Sequence, residues 1–195
     1  MARPLQVSDA AIFEAVFSII LDEGLDNLTF DRIAQKVGIV RTAIINRFKN
    51  RRTLLVAADT YYLEQSESAL ETAAKVTNDP IRAIINGLCA EMRFATSPQA
   101  YSNSLAMLAY GFNSPKMSQN YRRACLAQRK FITALLERAK AEKKLQRETN
   151  CKELAQLLQV TQQGAAHTWM MSQDATVEVY IEKFIQMTLR PYGCS

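Results

Sequence analysis

The 195-residue chain contains little glycine and proline, with six and five residues respectively. A β-rich domain of this length needs many tight turns, and these two residue types form most of them. Runs of alternating polar and apolar residues, which are typical of half-buried strands, are also lacking. Apolar residues recur instead at the three- and four-residue spacing of helices. The sequence therefore predicts an all-α protein of about nine helices.

Cysteine and histidine are too few and too scattered for a metal site or a disulfide framework. The chain has four cysteines without a CxxC pair and a single histidine, His167. Structural metal sites and disulfide-rich domains need several such residues at short spacing. Nucleotide-binding, metalloprotease and serine-hydrolase motifs are also missing, and His167 has no evident nucleophile partner. We predict no enzymatic activity, no catalytic residues, no bound metal and no cofactor.

No stretch combines the length and apolarity of a transmembrane helix. The N-terminal apolar run is interrupted by Glu14, ends at Asp22 and Glu23, and has no small-residue cleavage site before them. A membrane span needs about 18 uncharged apolar residues in succession. The scattered cysteines are expected to be free thiols in a reducing compartment. We therefore expect a cytoplasmic protein without membrane association.

Positive charge is concentrated in one short segment. The chain has a formal net charge of +5. Residues 29–52 contain seven lysines and arginines and one acid, Asp31, so this segment has a net charge of +6 and the remainder −1. A basic segment on a nearly neutral protein is typical of polyanion binding. The alternative is a solvated basic surface without a ligand, which is the commoner meaning of a charge run taken alone.

The basic segment coincides with a helix-turn-helix pattern. Thr29 can cap a short second helix that Gly38 ends, and a third helix follows at about residues 41–47. Ile44 and Phe48 are four positions apart, so they share one helical face and are predicted to be buried. In a helix-turn-helix the second helix presents its other face to the major groove of DNA. This pattern favours DNA binding over the solvated surface.

Capping signals predict six further helices in a larger helical body. The fourth helix follows the basic segment without a glycine-rich linker. The sixth helix is predicted to end at Gly111 and the seventh near Leu145. The fifth, seventh and eighth helices are predicted to start after the caps Asp79, Ser114 and Asn150.

Residues 9–56 also contain a series of short motifs in a fixed order. The motifs are Gly24-Leu25, Leu28-Thr29, Ile33-Ala34, Gly38-Ile39-Val40, Ile44-Ile45, Phe48 and Arg51-Arg52-Thr53-Leu54-Leu55. In combination they resemble the N-terminal pattern of the TetR family of bacterial transcriptional regulators. The resemblance implies a homodimer that binds double-stranded DNA at a palindromic operator and that a small-molecule effector releases, with repression as the family default. It implies a DNA-binding domain at residues 1–52 and an effector-binding and dimerisation domain at residues 53–195.

Two sets of DNA-contacting residues are expected. The resemblance implies contacts from Thr29, Arg41, Thr42, Ala43, Asn46 and Arg51. By residue chemistry, Arg41 and Asn46 are candidates for reading bases, and Ile45 can contact a thymine methyl group. Arg3, before the first helix, is a candidate for a minor-groove contact, with a disordered tail as the alternative. The candidates for phosphate contacts are Thr29, Arg47, Lys49 and Arg51.

The chain departs from the family pattern at three positions of this segment. Val40 replaces the usual serine, so it has no oxygen with which to cap the third helix. Ile45 replaces the usual tyrosine and lacks its phenolic hydroxyl. Lys49 replaces the usual proline after Phe48 and adds a cation that could compensate for a lost phosphate contact.

The resemblance also places an effector pocket among helices four to seven, with helix eight nearby, and a dimer interface on helices eight and nine. A lining rich in aromatic residues and methionine predicts a neutral, apolar or aromatic effector, and plain core packing is the alternative. The alternative function is a helical dimer whose helix-turn-helix makes non-specific DNA or protein contacts without ligand control. The candidates are Tyr62, Phe94, Asn103, Met107, Tyr110, Gln128 and Phe131 for the effector, and Gly164, Ala165, His167 and Phe184 for the dimer.

Overall fold

The computed structural model describes residues 7–193, without the side chain of residue 74. Arg3 and Cys194 lie outside the described residues. Within this range the protein is all-α, as predicted, and its strand-like pairing is limited to an isolated bridge between Leu145 and Gly193. The helices are α1 (Asp9–Glu23), α2 (Phe30–Val37), α3 (Arg41–Phe48), α4 (Arg51–Lys75), α5 (Pro80–Glu91), α6 (Pro98–Phe112), α7 (Pro115–Ala141), α8 (Cys151–Ser172) and α9 (Val177–Leu189).

Side-chain caps start α2, α5 and α8 where the sequence predicts them. The Thr29 hydroxyl accepts a hydrogen bond from the Arg32 amide at 3.2 Å at the start of α2. Asp79 Oδ1 accepts from the Ile81 amide at 3.1 Å, and Asn150 Oδ1 accepts from the Lys152 amide at 3.2 Å. Each cap satisfies a backbone N–H that has no partner within its own helix.

Two helix ends differ from the predictions. The sixth helix does not stop at Gly111 but continues to Phe112. Gly111 is required for a different reason: a Cβ there would lie 2.6 Å from Cε2 of Tyr121 on α7. The seventh helix ends at Ala141 rather than near Leu145, and Lys143 then has a positive φ of 58°. Sequence periodicity reveals neither the close packing at Gly111 nor the left-handed conformation of Lys143.

The chain divides into two compact units. Unit 1 comprises residues 1–64 and 99–121, and unit 2 comprises residues 65–98 and 122–195. The helices α4 and α7 therefore each contribute residues to both. This division follows packing rather than function, and the functional boundary at residue 52 stays a prediction.

Each unit has a hydrophobic core of its own. In unit 1 the fully buried side chains come from α1 to α4 and α7 and include Ile12, Ile33, Ile44, Leu54 and Met117. In unit 2 they come from α5 and from α7 to α9, for example Ile84, Leu88, Ile132, Leu158 and Ile185. None of the helices within residues 7–193 has an apolar stretch long enough to cross a bilayer.

Candidate nucleic-acid interface

A glycine in the left-handed conformation forms the turn between α2 and α3. Gly38 has φ 72° and ψ 32°, and the amide of Ile39 donates to the carbonyl of Ala34 at 3.1 Å. These are the features of a helix end at which a residue without a Cβ avoids steric cost. The predicted turn is therefore present at the predicted residue, and it directs the chain into α3.

One face of α3 is buried and the other is open to solvent. Ile44 is fully buried and Phe48 is nearly so, with its ring centroid 5.6 Å from that of Phe13 on α1. Arg41, Thr42 and Asn46 are exposed. Because the apolar face fixes the helix against unit 1, the exposed face is presented in a defined orientation. The remaining two candidates on this helix, Ala43 and Ile45, are half-buried.

The start of α3 lacks a side-chain cap, as the sequence predicts. Val40 is the N-cap residue, makes no side-chain hydrogen bond there and is 68% exposed. An exposed valine leaves the first-turn N–H groups without the oxygen that serine would supply.

Arg41, the base-reading candidate, has one weak ion pair. Its Nη1 lies 3.4 Å from Asp31 Oδ2, and both side chains are more than half exposed, at 57% and 68%. Exposed pairs of this kind contribute little because water and salt screen them. Arg41 can therefore exchange this partner for a DNA group.

Two other arginines of the segment have main-chain partners within unit 1. Arg47 Nη1 donates to the Val7 carbonyl at 2.6 Å and lies 3.3 Å from Asp9 Oδ1. Arg51 is half-buried, and its Nη2 donates to the carbonyl of Leu25. The sequence predicts phosphate contacts for both arginines. It does not reveal these partners, which lie 40 and 26 positions away.

The α3–α4 connection is a γ-turn centred on Lys49. This residue has φ 64° and ψ −51°, and the amide of Asn50 donates to the carbonyl of Phe48 at 2.7 Å. Such a turn with positive φ is rare and strained for residues other than glycine. Proline, whose ring fixes φ near −65°, could not adopt it. The absence of the family's usual proline therefore has a conformational reason in this chain.

Comparison with known proteins identifies this segment. Residues 6–58 match the family model of the bacterial regulatory proteins of the tetR family. This segment is therefore similar to the N-terminal part of TetR-family regulators. No curated protein matches the chain.

Solved structures extend the likeness to the whole fold. A transcriptional regulator from Saccharomonospora viridis in complex with choline has a TM-score of 0.81 at 14% identity, covering 96% of this chain and 98% of its own. A TetR transcription regulator from Haloarcula marismortui gives 0.76 at 19% identity, with 93% and 94% covered. SmeT, the repressor of the Stenotrophomonas maltophilia multidrug efflux pump SmeDEF, gives 0.70 at 18%, with 97% and 92% covered. The chain thus has the fold of a TetR-family transcriptional regulator.

The predicted effector residues of this TetR-like chain are divided between the two units. Tyr62, Asn103, Met107 and Tyr110 belong to unit 1, whereas the other three, Phe94, Gln128 and Phe131, belong to unit 2. Within unit 1, Met107 is buried in the core. Asn103 Nδ2 donates to the Leu21 carbonyl at the end of α1 across 2.9 Å. The structure thus gives these two residues packing and hydrogen-bonding roles of their own.

Unit 2 contains a polar network that the sequence does not predict. Gln128 Nε2 donates to Glu91 Oε2 and to Gln162 Oε1, the latter at 2.8 Å. Gln159 Nε2 donates to Gln128 Oε1 at 2.6 Å, and the fully buried Gln162 donates to the Leu88 carbonyl at 2.8 Å. Burial raises the pKa of the Glu91 carboxyl, and hydrogen bonds from Gln128, Gln162 and Ser66 partly offset the rise. The sequence alone gives no signal for this network, because glutamine is usually a surface residue and the burial of Gln159 and Gln162 depends on tertiary packing.

The residues predicted for the dimer interface differ in exposure. Gly164 and His167 are exposed on α8, whereas Ala165 is 3% exposed and packs within unit 2. Phe184 is half-buried, with its ring centroid 6.1 Å from that of Tyr180. Ala165 therefore has little area left to offer to a partner. Other apolar side chains of the same two helices are exposed, namely Leu157, Val160, Met171, Val179 and Met187.

Proposed function

We propose that the protein is a homodimeric, sequence-specific DNA-binding regulator of transcription, most simply a repressor, that a small-molecule effector releases from its operator. DNA recognition is supported by the two different faces of α3, of which one is buried and the other is exposed. Ile44 and Phe48 anchor the helix in unit 1, while Arg41, Thr42 and Asn46 stay exposed. A helix held in this way can enter the major groove with its polar residues foremost.

In this proposal Arg41 and Asn46 read base edges, and the half-buried Ile45 adds an apolar contact to a thymine methyl group. The exposed Thr29 at the start of α2 contacts a phosphate. Thr42 and Ala43, in the first turn of α3, approach the same groove. Two such helices in a dimer would lie about one helical turn of DNA apart, ~34 Å, or a multiple of it.

Selection of bound DNA from a random duplex pool tests the proposal. We expect a recurrent palindrome, and in competition a preference of about 10³-fold or more over bulk DNA. Equal binding of all sequences would instead support the alternative of non-specific DNA contacts. Absence of duplex binding would point to protein contacts by the helix-turn-helix.

Dimerisation through α8 and α9 is supported by their exposed apolar side chains. Val160 and Met171 are 69% and 70% exposed on α8, and Val179 is 54% exposed on α9. Soluble monomers rarely expose large contiguous apolar patches. A Cβ at Gly164 would have no heavy atom within 4 Å in this chain, so a second helix could approach closely there.

Light scattering after size exclusion tests this interface. The substitution Val160→Glu should convert a dimer to a monomer, because it would place a charge in the apolar interface. The matched control is Val76→Glu, which changes a residue that is 76% exposed beyond the end of α4. A dimer that persists in both variants would place the interface elsewhere.

The effector is proposed to bind in unit 2. Phe94 and Phe131 offer aromatic surface, and Gln128 and Glu91 offer hydrogen-bonding groups. This supports an aromatic or apolar molecule, and the Glu91 carboxylate favours one that also has a polar or cationic group. Choline, the molecule bound by the Saccharomonospora viridis relative, is therefore a sensible first compound alongside neutral aromatics.

Titration of the operator complex with these compounds tests effector control. Release of DNA at saturating compound is expected from the wild type and should be weakened by Glu91→Gln when the compound is cationic. A compound that binds without changing operator affinity would exclude coupling for that compound. The proposed location is the cytoplasm, where the operator lies and where the cysteines stay reduced, and no catalytic role is proposed.

A further inference from the structure

We propose that the cations around α3 have two different roles. Arg47 and Arg51 orient the helix, whereas Lys49 and Arg52 make the phosphate contacts at its C-terminal end. The inference rests on the proposed DNA binding. It changes the role of Arg51, a contact that the resemblance implies, and of Arg47, a phosphate candidate by residue chemistry. It follows from which side chains already have partners within unit 1.

Arg51 is committed to the protein by burial and by a hydrogen bond. It is half-buried, and its Nη2 donates to the Leu25 carbonyl. Its Nε is also buried and has no hydrogen-bond partner within the described residues. Leu25 lies in the turn that follows α1, and Arg51 is the first residue of α4. The hydrogen bond therefore fixes the start of α4 to the α1–α2 connection. Withdrawal of the guanidinium towards a phosphate would break this bond.

Arg47 is committed in a similar way at the other end of α1. Its Nη1 donates to the Val7 carbonyl and pairs with Asp9, the first residue of α1. The pair with Asp9 also offsets part of its charge, which reduces the attraction for a phosphate. Arg47 and Arg51 thus connect α3 and the residue that starts α4 to both ends of α1. We assign both as positioning residues.

Lys49 and Arg52 differ from these two arginines in their exposure and in their lack of partners within the described residues. Both are exposed, and within residues 7–193 neither side chain has a hydrogen-bond or ion-pair partner. Lys49 directly follows α3, and Arg52 lies in the first turn of α4. A long cationic side chain without a protein partner loses no interaction when it binds a phosphate. These two residues are therefore the available phosphate contacts after α3.

The salt dependence of DNA binding separates the two roles. Each phosphate contact contributes about 0.9 to the slope of log Kobs against log salt, so one substitution in both subunits of a dimer should reduce the slope by about 1.8. We expect this reduction for Lys49→Gln and for Arg52→Gln. Arg47→Gln and Arg51→Gln should leave the slope unchanged. Lys130→Gln, which removes an exposed cation of unit 2, is the matched control and should have no effect.

A second readout identifies positioning. If Arg51 orients α3, Arg51→Gln should lower the ratio of operator affinity to the affinity for a single-mismatch duplex by about threefold or more, at temperatures where the variant is folded. A residue that only stabilises the fold would leave this ratio unchanged.

Three outcomes would overturn the assignment. The first is a slope reduction for Arg51→Gln or Arg47→Gln equal to that of Lys49→Gln. The second is an unchanged slope for both Lys49→Gln and Arg52→Gln, and the third is an unchanged affinity ratio for a folded Arg51→Gln. The second outcome remains decisive even if the arginine variants fail to fold. Slopes are measured on generic duplex DNA as well as on the operator. Failure of the wild-type protein to bind either duplex would refute the proposed function instead.

Discussion

The side-chain amide of Asn120 donates a hydrogen bond to the carboxylate of Asp59 across 2.9 Å, and both residues are buried in unit 1. Asn120 also donates to the hydroxyl of Thr60 at 3.1 Å. Burial raises the pKa of Asp59, while hydrogen bonds from Asn120 and Tyr121 partly offset the rise. A carboxylate held by neutral donors alone is incompletely compensated for its lost hydration.

Asp59→Asn should therefore raise the melting temperature at pH 7. A carboxyl whose pKa is raised on folding stabilises the protein fully below the pKa of the unfolded chain, and this contribution is lost as the pH rises through the folded pKa. The gain from the substitution should shrink as the pH is lowered towards 3.8, the ordinary value. Thermal melts between pH 4 and 8 measure it, with the exposed Asp26→Asn as control. A lower melting temperature at pH 7 would show that the hydrogen bonds outweigh burial.

Asp31→Asn should tighten DNA binding. Asp31 is the only acid in residues 29–52 and lies 3.4 Å from Arg41. Its removal frees Arg41 and takes one anion per subunit away from the phosphates, which we expect to raise affinity by about tenfold at low salt. Fluorescence anisotropy with labelled duplex measures the change. Asp22→Asn, an exposed acid of α1, should give a clearly smaller gain, and an equal gain would show that net charge alone is responsible.

Lys49→Gly should stabilise the protein and weaken DNA binding together. Glycine tolerates the positive φ of 64° without steric cost, so we expect a gain of about 1 kcal/mol in the free energy of unfolding. For a chain of this size that corresponds to about 2–4 °C in melting temperature. Lys49→Ala removes the same charge but keeps the strain, so it should weaken DNA binding without the thermal gain. Identical melting temperatures for the two variants would mean that the turn is not strained.

Gly111→Ala should destabilise the protein by about 1–3 kcal/mol, as expected for overpacking. The new Cβ would overlap the Tyr121 hydroxyl and lie 2.7 Å from its Cζ, which forces a ring that is hydrogen-bonded to Asp59 to move. Urea denaturation measures the loss. Gly164→Ala is the matched control, because its Cβ would meet no atom within 4 Å in this chain. A loss of stability in the control, at concentrations where the protein is dimeric, would instead place a partner helix there.

Features that depend on neighbouring residues in the sequence were predictable. The Thr29 cap, the Gly38 turn and the buried pair Ile44 and Phe48 depend on spacings of three or four positions, which α-helical geometry fixes. The missing cap at Val40 was visible in the same way. These features are enough to locate the candidate recognition helix and its exposed face.

Features that depend on residues far apart in the sequence were not predictable. The partners of Arg47 and Arg51 lie on segments far along the chain, so both arginines looked like free cations. Gly111 looked like a helix end because the ring of Tyr121 that fills its side-chain space comes from another helix. Gln162 is of a residue type usually found at the surface, and only tertiary packing shows that it is fully buried.

Val40 has a consequence for the kinetics of recognition. The first turn of α3 has neither a capping oxygen nor an acidic residue to oppose the helix dipole. We expect its amides to exchange with solvent faster than those of the anchored turn around Ile44 in the free protein. A phosphate oxygen at this position would accept their hydrogen bonds and order the turn. Part of the binding free energy would then be used to order the first turn of α3. Val40→Ser would supply the missing cap in the free protein, so we expect faster and tighter association without any change to a base contact.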